Sequence, residues 1–275
     1  MHMKERLIIY FKKVIHFIWI PYNQSRLNII ATVIINFSNL TFRNALKFPI
    51  LVYGETVISC KKGKIYINSP IKTGMIIIGK YGRGRSVRKS VFINQGIINI
   101  GGNILFTKGF RCYNYGILSI GSHVYIGEDS TIMCSKNIQI SSFVRTSWNF
   151  FAQDSDGHYY LDLCNNRIKD MYGAISIGAY TWIGNNVTIK KHTIITPYTI
   201  VASLSLLTKD YSKFGNFCLL GGSPAGVFKE QVCPILNLQI EDELKKENWS
   251  NAFINYNSKD LDLLTQRNVD FIPFS

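Results

Sequence analysis

The sequence is poor in acidic residues and has no paired cysteine motif. It contains 17 Asp and Glu against 31 Lys and Arg, which gives a formal net charge of +14. Such an excess favours anionic partners without distinguishing nucleic acid, an acidic membrane surface and phosphorylated small molecules. The six cysteines form no CxxC pair and no Cys/His grouping with zinc-ligand spacing. We therefore expect free thiols in a reducing compartment and no bound metal. No nucleic-acid-binding motif is recognisable, so no nucleic-acid partner is expected.

Long uninterrupted apolar runs are also missing. The stretch from Leu7 to Ile20 is broken by two lysines and a histidine, and the stretch from Leu27 to Phe37 is too short to span a bilayer. No secretory signal is evident, which predicts a cytoplasmic protein. The first 20 residues read as a helix with a basic face that ends at Pro21. This helix is expected either to lie peripherally on the inner face of the membrane or to pack as a cap.

The sequence is rich instead in a six-residue repeat. A hydrophobic content of 47% already indicates a folded chain. Aliphatic residues recur at every sixth position in two stretches, Ile120, Ile126, Ile132, Ile138 and Val144, then Ile177, Ile183, Ile189, Ile195, Val201 and Leu207. An α-helix would give a period of 3.6 and a single strand a period of 2. The repeat therefore predicts a parallel β-helix, a mainly β solenoid in which inward-facing aliphatics stack from coil to coil.

Three parts of the chain are expected. Residues 1–52 form an N-terminal helical or irregular extension, residues 53–230 form the β-helix, and residues 231–275 form a C-terminal helix and tail. The C-terminal helix is predicted from Ile240 to Phe253.

Weaker repeats precede the regular ones. Segments 76–79 and 98–101 share the aliphatic–glycine pattern, and the strand-like segments 53–58 and 64–68 are expected to form early coils. Between them lies a basic, glycine-containing loop from Lys80 to Lys89. It is either a solvated turn or a surface facing phosphate or a membrane.

The repeat is interrupted between Val144 and Ile177. These two residues are 33 positions apart instead of six, which predicts an excluded loop of roughly 27 residues within 145–174. Long loops inside compact folds are usually functional. This loop contains the charged and titratable residues Asp154, Asp156, His158, Asp162 and Arg167.

These features resemble the hexapeptide-repeat acyltransferases, a family that includes galactoside, maltose and nodulation-type acetyltransferases and many polysaccharide O-acetyltransferases. In that family an excluded loop carries a histidine, commonly followed by an Asp and an Arg, and His158, Asp162 and Arg167 have this order. Three further family segments follow in the same order, at residues 182–184, 207–210 and 222–225. The resemblance covers about residues 98 to 230. It implies a left-handed parallel β-helix, a CoA thioester donor and a homotrimer with sites between subunits.

The reaction that the resemblance implies is transfer of an acetyl group from acetyl-CoA to a hydroxyl. His158 is the expected general base, since an imidazole titrates near neutral pH. Either Asp156 or Asp162 is expected to orient its ring, and the residues do not choose between them. The backbone N–H of Asn185 is expected, by resemblance, to stabilise the oxyanion.

The resemblance also implies a set of binding residues. The acetyl-CoA-binding residues are expected to be Ala202, Ser203, Thr208, Lys209, Pro224 and Lys229. The acceptor-binding residues are expected to be Asn149, Arg167 and Trp182. The two lysines are suited to the phosphates of CoA, because cations form strong charge-assisted hydrogen bonds to phosphate.

The function that we expect is O-acetylation of a sugar hydroxyl in surface polysaccharide biosynthesis, such as that of a capsule or O-antigen. The saccharide acceptor is free, nucleotide-linked or lipid-linked. One alternative is N-acylation of an amino sugar on a nucleotide carrier. Two others come from different classes, a non-catalytic scaffold or glycan-binding solenoid, and a zinc hydrase. The zinc hydrase would need a close histidine pair, which His123, His158 and His192 do not supply.

Overall fold

The computed structural model describes residues 26–60, 62–81, 86–236 and 241. Short strands form three sheets, and the chain passes from sheet I to sheet II to sheet III and back again. Sheet I has the order β1 (Ile50–Val52), β4 (Ile76–Ile78), β7 (Ile104–Phe106), β10 (Val124–Ile126), β13 (Arg145–Thr146), β18 (Trp182–Ile183), β21 (Ile200–Val201), β23 (Cys218–Gly222) and β24 (Ala225–Glu230). Sheet II has the order β2 (Thr56–Ser59), β5 (Ser90–Asn94), β8 (Arg111–Asn114), β11 (Thr131–Cys134), β14 (Phe151–Gln153), β19 (Thr188–Lys190) and β22 (Leu206–Leu207). Sheet III has the order β20 (Ile194–Ile195), β17 (Ile175–Ile177), β12 (Asn137–Ile140), β9 (Ile117–Ile120), β6 (Ile97–Ile100) and β3 (Lys64–Ile67).

Strand pairing confirms the predicted parallel β-helix. Every pair within the three sheets is parallel except the final hairpin of β23 and β24. The early coils expected at 53–58 and 64–68 are present as β2 and β3, and the weaker repeats supply β4 and β6. Stacked coils of this kind bury one continuous core that no single coil could enclose alone.

The coils differ in length before and after the interruption. Before it, Ile132 of sheet II pairs with Cys112 on the preceding coil and with Ala152 on the following one. After it, Ala152 pairs with Ile189, and Ile189 pairs with Leu207. The coils between Val91 and Gln153, which we call the long coils, carry two more residues than the last coil, and the two residues lie where the chain turns from sheet II to sheet III. The inserted loop leaves the column at this same turn.

This difference in coil length corrects the predicted stacking. All eleven aliphatic positions of the repeat are buried, as expected. However, Ile140 rather than Ile138 pairs with Ile120, and Thr146 rather than Val144 lies beside Ile183. A strict six-residue count therefore names residues two positions before the true stacking partners after each long coil, because it does not include the two additional turn residues.

Two predicted boundaries also change. The predicted excluded loop of 145–174 was too long, because β13 and β14 lie within it and pair in sheets I and II. The segment outside the column is 155–174, which we call the excluded loop. The column also begins at β1, within the predicted N-terminal extension of 1–52.

A short helical segment covers the first coil. Helix α1 (Ile29–Asn39) begins at Asn28, whose side chain accepts a hydrogen bond from the Ala31 N–H, and α2 (Phe42–Ala45) follows it. A 3₁₀ turn at Ser212–Phe214 precedes the final hairpin. In the described part of the chain, neither helix has the length and hydropathy to cross a bilayer. The helices predicted for residues 1–20 and 240–253 lie outside the described residues, apart from Glu241.

A column of stacked rings marks the corner between sheets III and I. Ring centroids of successive members lie 4.7 to 5.1 Å apart. The members, one from each of five successive turns, are His123, Phe143, Tyr180, Tyr198 and Phe217. Each has φ between 57° and 65°, the left-handed conformation that such tight turns require.

Candidate functional site

The excluded loop is attached to the column by a buried carboxylate. Asp154, directly after β14, is fully buried, and its carboxylate accepts hydrogen bonds from three consecutive backbone N–H groups. These are the amides of Ser135, Lys136 and Asn137, at 2.7, 2.8 and 2.7 Å. Cys134 also directs its thiol at Asp154 Oδ2, 3.8 Å away. Asp154 therefore joins the start of the loop to the turn of the preceding coil.

The two ends of the excluded loop are held together. The Gly173 N–H donates to the Asp154 carbonyl at 3.0 Å, and Ser155 and Tyr172 form an antiparallel bridge. On the next coil, Lys191 Nζ lies 2.6 Å from Asp156 Oδ2 and also donates to a loop carbonyl. Lys191 is largely buried, so water screens this ion pair less than it would at a fully exposed position. The base of the loop is thus fixed by backbone and charged contacts.

The outer part of the excluded loop is a small hairpin. Strands β15 (Leu161–Asp162) and β16 (Arg167–Ile168) pair antiparallel, with Asp162 opposite Arg167. Asp162 accepts hydrogen bonds from the Asn165 side chain and from turn amides, and Lys169 Nζ lies 3.3 Å from it. The Asn165 side chain is the main reason that the pKa of Asp162 is lowered, with a smaller contribution from Lys169. Asp162 therefore stabilises the hairpin turn.

His158 lies between the base of the loop and the hairpin. Its side chain is exposed and has no hydrogen-bond or ion-pair partner within the described part of the chain. The predicted orienting contact from Asp156 or Asp162 is absent, because Asp156 pairs with Lys191 and Asp162 is engaged in its turn. Within one chain, the imidazole is therefore exposed and is not oriented by a described carboxylate.

The second group of predicted residues lies at a different corner, between sheets I and II. Asn149 has φ of 55° and its side chain donates to Asn186 at 3.0 Å. Ser203 Oγ donates to the Asn185 side chain at 2.6 Å, and the Asn185 carbonyl accepts from Leu204 N–H at 3.0 Å. No described residue accepts a hydrogen bond from the backbone N–H of Asn185. This N–H therefore remains available to a bound molecule.

Trp182 lies on the outer face of sheet I, beside this corner. It lines a cleft of about 430 Å³ together with Arg145, Ser147 and the segment 233–236. A neighbouring cleft of about 200 Å³ shares Arg145 and Ser147 and adds Trp148 and Glu128. Arg145 lies between the two half-exposed tryptophans, and its Nη1 lies 3.5 Å from Glu241 Oε2 in the larger cleft. The tryptophans offer apolar surface, and the ion pair adds polar groups beside it.

The predicted acetyl-CoA residues occupy three places. Ala202 and Ser203 lie at the corner between sheets I and II, whereas Thr208 and Lys209 follow β22 at the corner of the excluded loop. Pro224 and Lys229 belong to the final hairpin. The two lysines are exposed and in no ion pair with a described carboxylate, and Lys209 Nζ lies 5.5 Å from the Tyr211 ring centre. Their charges therefore fit a phosphorylated ligand, but one chain does not gather all six residues into a single groove.

Sequence reasoning missed the structural role of Asp154. The signal was a second period equal to one long coil, since Asn94, Asn114, Cys134 and Asp154 recur at equivalent buried positions. It also missed Lys191 at the loop base, and Glu128, whose Oε1 is buried without a partner in the described part of the chain. The described residues hold no group of three or more His, Cys, Asp or Glu side chains arranged for a metal ion.

The chain is similar to a curated protein and to several solved structures. The chain matches no profile of a known protein family. It is 27% identical over 134 residues to a polysialic acid O-acetyltransferase of Escherichia coli O1:K1, a match covering 48% of this chain and 41% of that protein. The match therefore spans about two fifths of the relative's length.

The solved structures include a polySia-specific acetyltransferase and an N-acyltransferase. The polySia-specific acetyltransferase NeuO has a TM-score of 0.47 at 18% identity, covering 76% of this chain and 91% of that one. AntD, an N-acyltransferase from Bacillus cereus in complex with dTDP and coenzyme A, has a TM-score of 0.43 at 15% identity, covering 72% and 89%. The curated match confirms the predicted resemblance to hexapeptide-repeat acyltransferases that acetylate polysaccharide hydroxyls.

Proposed function

We propose that this protein is an acetyl-CoA-dependent O-acetyltransferase that modifies a sugar hydroxyl of a surface polysaccharide. One observation carries the proposal. The column of six-residue repeats ejects a long loop at one corner, and the imidazole on this loop has no partner among the described residues, in a chain similar to a polysialic acid O-acetyltransferase. The six cysteines are all free, which supports the reducing cytoplasm as the compartment.

His158 is the proposed general base. As the acceptor hydroxyl attacks the thioester carbonyl, the imidazole removes its proton, and the tetrahedral intermediate then collapses to the acetyl ester and CoA thiolate. The imidazolium returns the proton to the leaving sulfur. The free backbone N–H of Asn185 is the proposed donor to the oxyanion.

These two groups lie at different corners of one column. The strands of sheet II, which separate the corners, have three or two residues at this level, so they span roughly 10 Å. We therefore propose a homotrimer in which the loop corner of one subunit faces the corner of Asn185 on the next. In such an assembly, a carboxylate from either subunit can orient His158.

The donor and the acceptor are assigned to the two sides of this interface. Lys209 and Lys229, with Thr208 and Pro224, are proposed to bind the nucleotide end of acetyl-CoA, and Ala202 and Ser203 the pantetheine arm. Trp182, Asn149 and Arg167 are proposed to bind the saccharide. The cleft beside Trp182 supports this assignment, since the half-exposed indole offers an apolar face on which a sugar ring can pack.

The test measures CoA release with a panel of capsule and O-antigen fragments. Loss of a general base costs about 10²- to 10⁴-fold in rate, so His158→Ala is expected to lose activity on that scale. Tyr159→Ala, a change at the next residue of the same loop, whose side chain is also exposed, serves as the matched control. Full activity of His158→Ala would remove the proposed base. Turnover confined to amino sugars would favour N-acylation instead.

Subunit mixing tests the interface. His158→Ala and Trp182→Ala subunits are each expected to be nearly inactive alone. If each site draws these residues from two subunits, roughly one quarter of the interfaces in a random mixture carry both intact residues and recover activity. No recovery in refolded mixtures that contain mixed trimers would contradict a shared site.

A further inference from the structure

Helix α1 has its polar side buried and its apolar side exposed. Its buried face includes Thr32 and Asn36, whereas most of its large aliphatic and aromatic side chains point outward. Surface helices of soluble proteins usually show the opposite arrangement. The exposed members on α1 are Ile29, Ile30, Val33, Ile34 and Phe37.

The first strand explains the buried polar face. Strand β1 is the edge of sheet I, and an edge strand leaves backbone groups that need partners. Asn36 supplies both a donor and an acceptor to Ile50, at 2.7 and 3.2 Å, and Thr32 Oγ1 accepts from the Val52 N–H at 3.0 Å. The polar side chains of α1 are therefore required for capping the column, which leaves its apolar residues outside.

The apolar surface continues onto α2. Phe42 is 72% exposed and its ring lies 6.0 Å from that of Phe37, and Leu46 extends the patch further. Contiguous exposed apolar surfaces of this kind mark sites of association with a protein or a membrane. We call it the apolar cap face, with the members Ile29, Ile30, Val33, Ile34, Phe37, Phe42 and Leu46.

Charge around the apolar cap face selects the partner. Residues 26–54 contain no Asp or Glu, and the exposed Arg43 and Lys47 lie at its rim. A second copy docked face to face would bring these cations together with no acidic residue of the segment to offset them. An anionic bilayer offers both a matching charge and an apolar interior.

We propose that the apolar cap face docks on the surface of an anionic lipid bilayer. Helix α1 has 11 residues and is about 16 Å long, so it can lie in the interface but cannot span it. Strands β1 and β18 are five strand spacings apart in sheet I, so Trp182 stands roughly 24 Å from the capped end. The membrane therefore holds the column by its N-terminal end, with the later coils projecting away from the lipid.

The test is sedimentation of the full chain with vesicles of phosphatidylcholine, with and without phosphatidylglycerol. The wild type is expected to bind the vesicles that contain phosphatidylglycerol. Ile30→Glu/Ile34→Glu is expected to lower this binding at least about tenfold, because it places two charges where apolar side chains enter the interface. Leu163→Glu, a change at a similarly exposed apolar position on the excluded loop, is the matched control and is expected to bind as the wild type does.

A charge variant separates the two contributions. Arg43→Gln/Lys47→Gln is expected to weaken binding to phosphatidylglycerol vesicles and to leave any binding to pure phosphatidylcholine unchanged. Thermal unfolding confirms that each variant is folded. Equal sedimentation of the wild type and Ile30→Glu/Ile34→Glu would overturn the proposal. A self-association in solution that this variant abolishes, without vesicle binding, would assign the face to a second copy and overturn it as well.

Discussion

Replacing the buried carboxylate of Asp154 is expected to destabilise the fold and loosen the excluded loop. Asp154 Oδ2 accepts from the amides of Lys136 and Asn137, and Oδ1 accepts from that of Ser135. In Asp154→Asn, the amide oxygen can keep the first two bonds, but the new NH₂ group then faces the Ser135 N–H. The substitution therefore removes the hydrogen bond from the Ser135 N–H, and it weakens the other two bonds because their acceptor is no longer charged.

The magnitude follows from the bonds that are lost. A hydrogen bond to a charged group contributes about 1.5–3 kcal/mol, so Asp154→Asn is expected to cost about 2–3 kcal/mol. Asp154→Ala leaves all three amides without the acceptor, and solvent reaches them only in part, so its cost is about 3–5 kcal/mol. For a chain of this length, 1 kcal/mol corresponds to roughly 2–4 °C in Tm, so the two variants are expected to lower Tm by about 4–12 °C and about 6–20 °C.

Thermal unfolding and limited proteolysis test this prediction together. Trypsin is expected to cleave the loop after Arg167 or Lys169 faster in the Asp154 variants, because the start of the loop is no longer fixed. Asp170→Asn is the matched control, since Asp170 is exposed at the other end of the loop and its change is expected to stay within about 0.5 kcal/mol. If Asp154→Asn unfolds at the wild-type temperature and resists trypsin equally, the carboxylate does not anchor the loop.

Three further predictions concern the column itself. Burial raises the pKa of Cys134 from 9.0 to about 12. The neutral thiol therefore contributes fully to the free energy of unfolding below pH 9, and this contribution is lost as pH rises from 9 towards 12, because only the unfolded chain then releases the proton. Denaturant unfolding of Cys134→Ala is expected to show a smaller loss of stability over this range, and an unchanged pH dependence would contradict the burial argument. A Cβ on Gly96 would overlap the backbone carbonyl of Gly116, so Gly96→Ala is expected to cost about 2–3 kcal/mol. Gly226→Ala meets nothing and should be neutral in the same assay. Tyr180→Ala removes two ring stacks and is expected to lower the free energy of unfolding by about 2–3 kcal/mol. Tyr180→Phe keeps both stacks and is expected to unfold at the same denaturant concentration as the wild type.

Local spacing in the sequence was sufficient to predict the column. The aliphatic at every sixth position is buried at all eleven predicted places, because a short strand and a tight turn together occupy about six residues. The same count failed at the turn from sheet II to sheet III. There two additional residues per coil leave no mark on the aliphatic pattern. Strands β13 and β14 were assigned to the loop because their inward-facing residues, Thr146 and Ala152, are not large aliphatics.

The candidate residues were predictable in type but not in arrangement. The histidine in the interrupting segment could be identified because the interruption itself was visible. The ion pair of Asp156 with Lys191 joins residues that are distant in the sequence, and nothing local indicates that the loop base closes on the next coil. Likewise, the separation of His158 from Asn185 depends on which corner each occupies, and that depends on the lengths of the coils between them.

The sequence alone therefore determined the repeating element, its inward-facing side chains and the presence of an ejected segment after Val144, since these depend on neighbours within one turn. Only the tertiary structure decided which residues lie beside one another on successive coils. That register depends on the accumulated length of whole coils, which are longer before the excluded loop than after it. For the same reason, only the structure showed that Asp154 is buried against the preceding turn and that the polar face of α1 caps β1 while its apolar face remains outside.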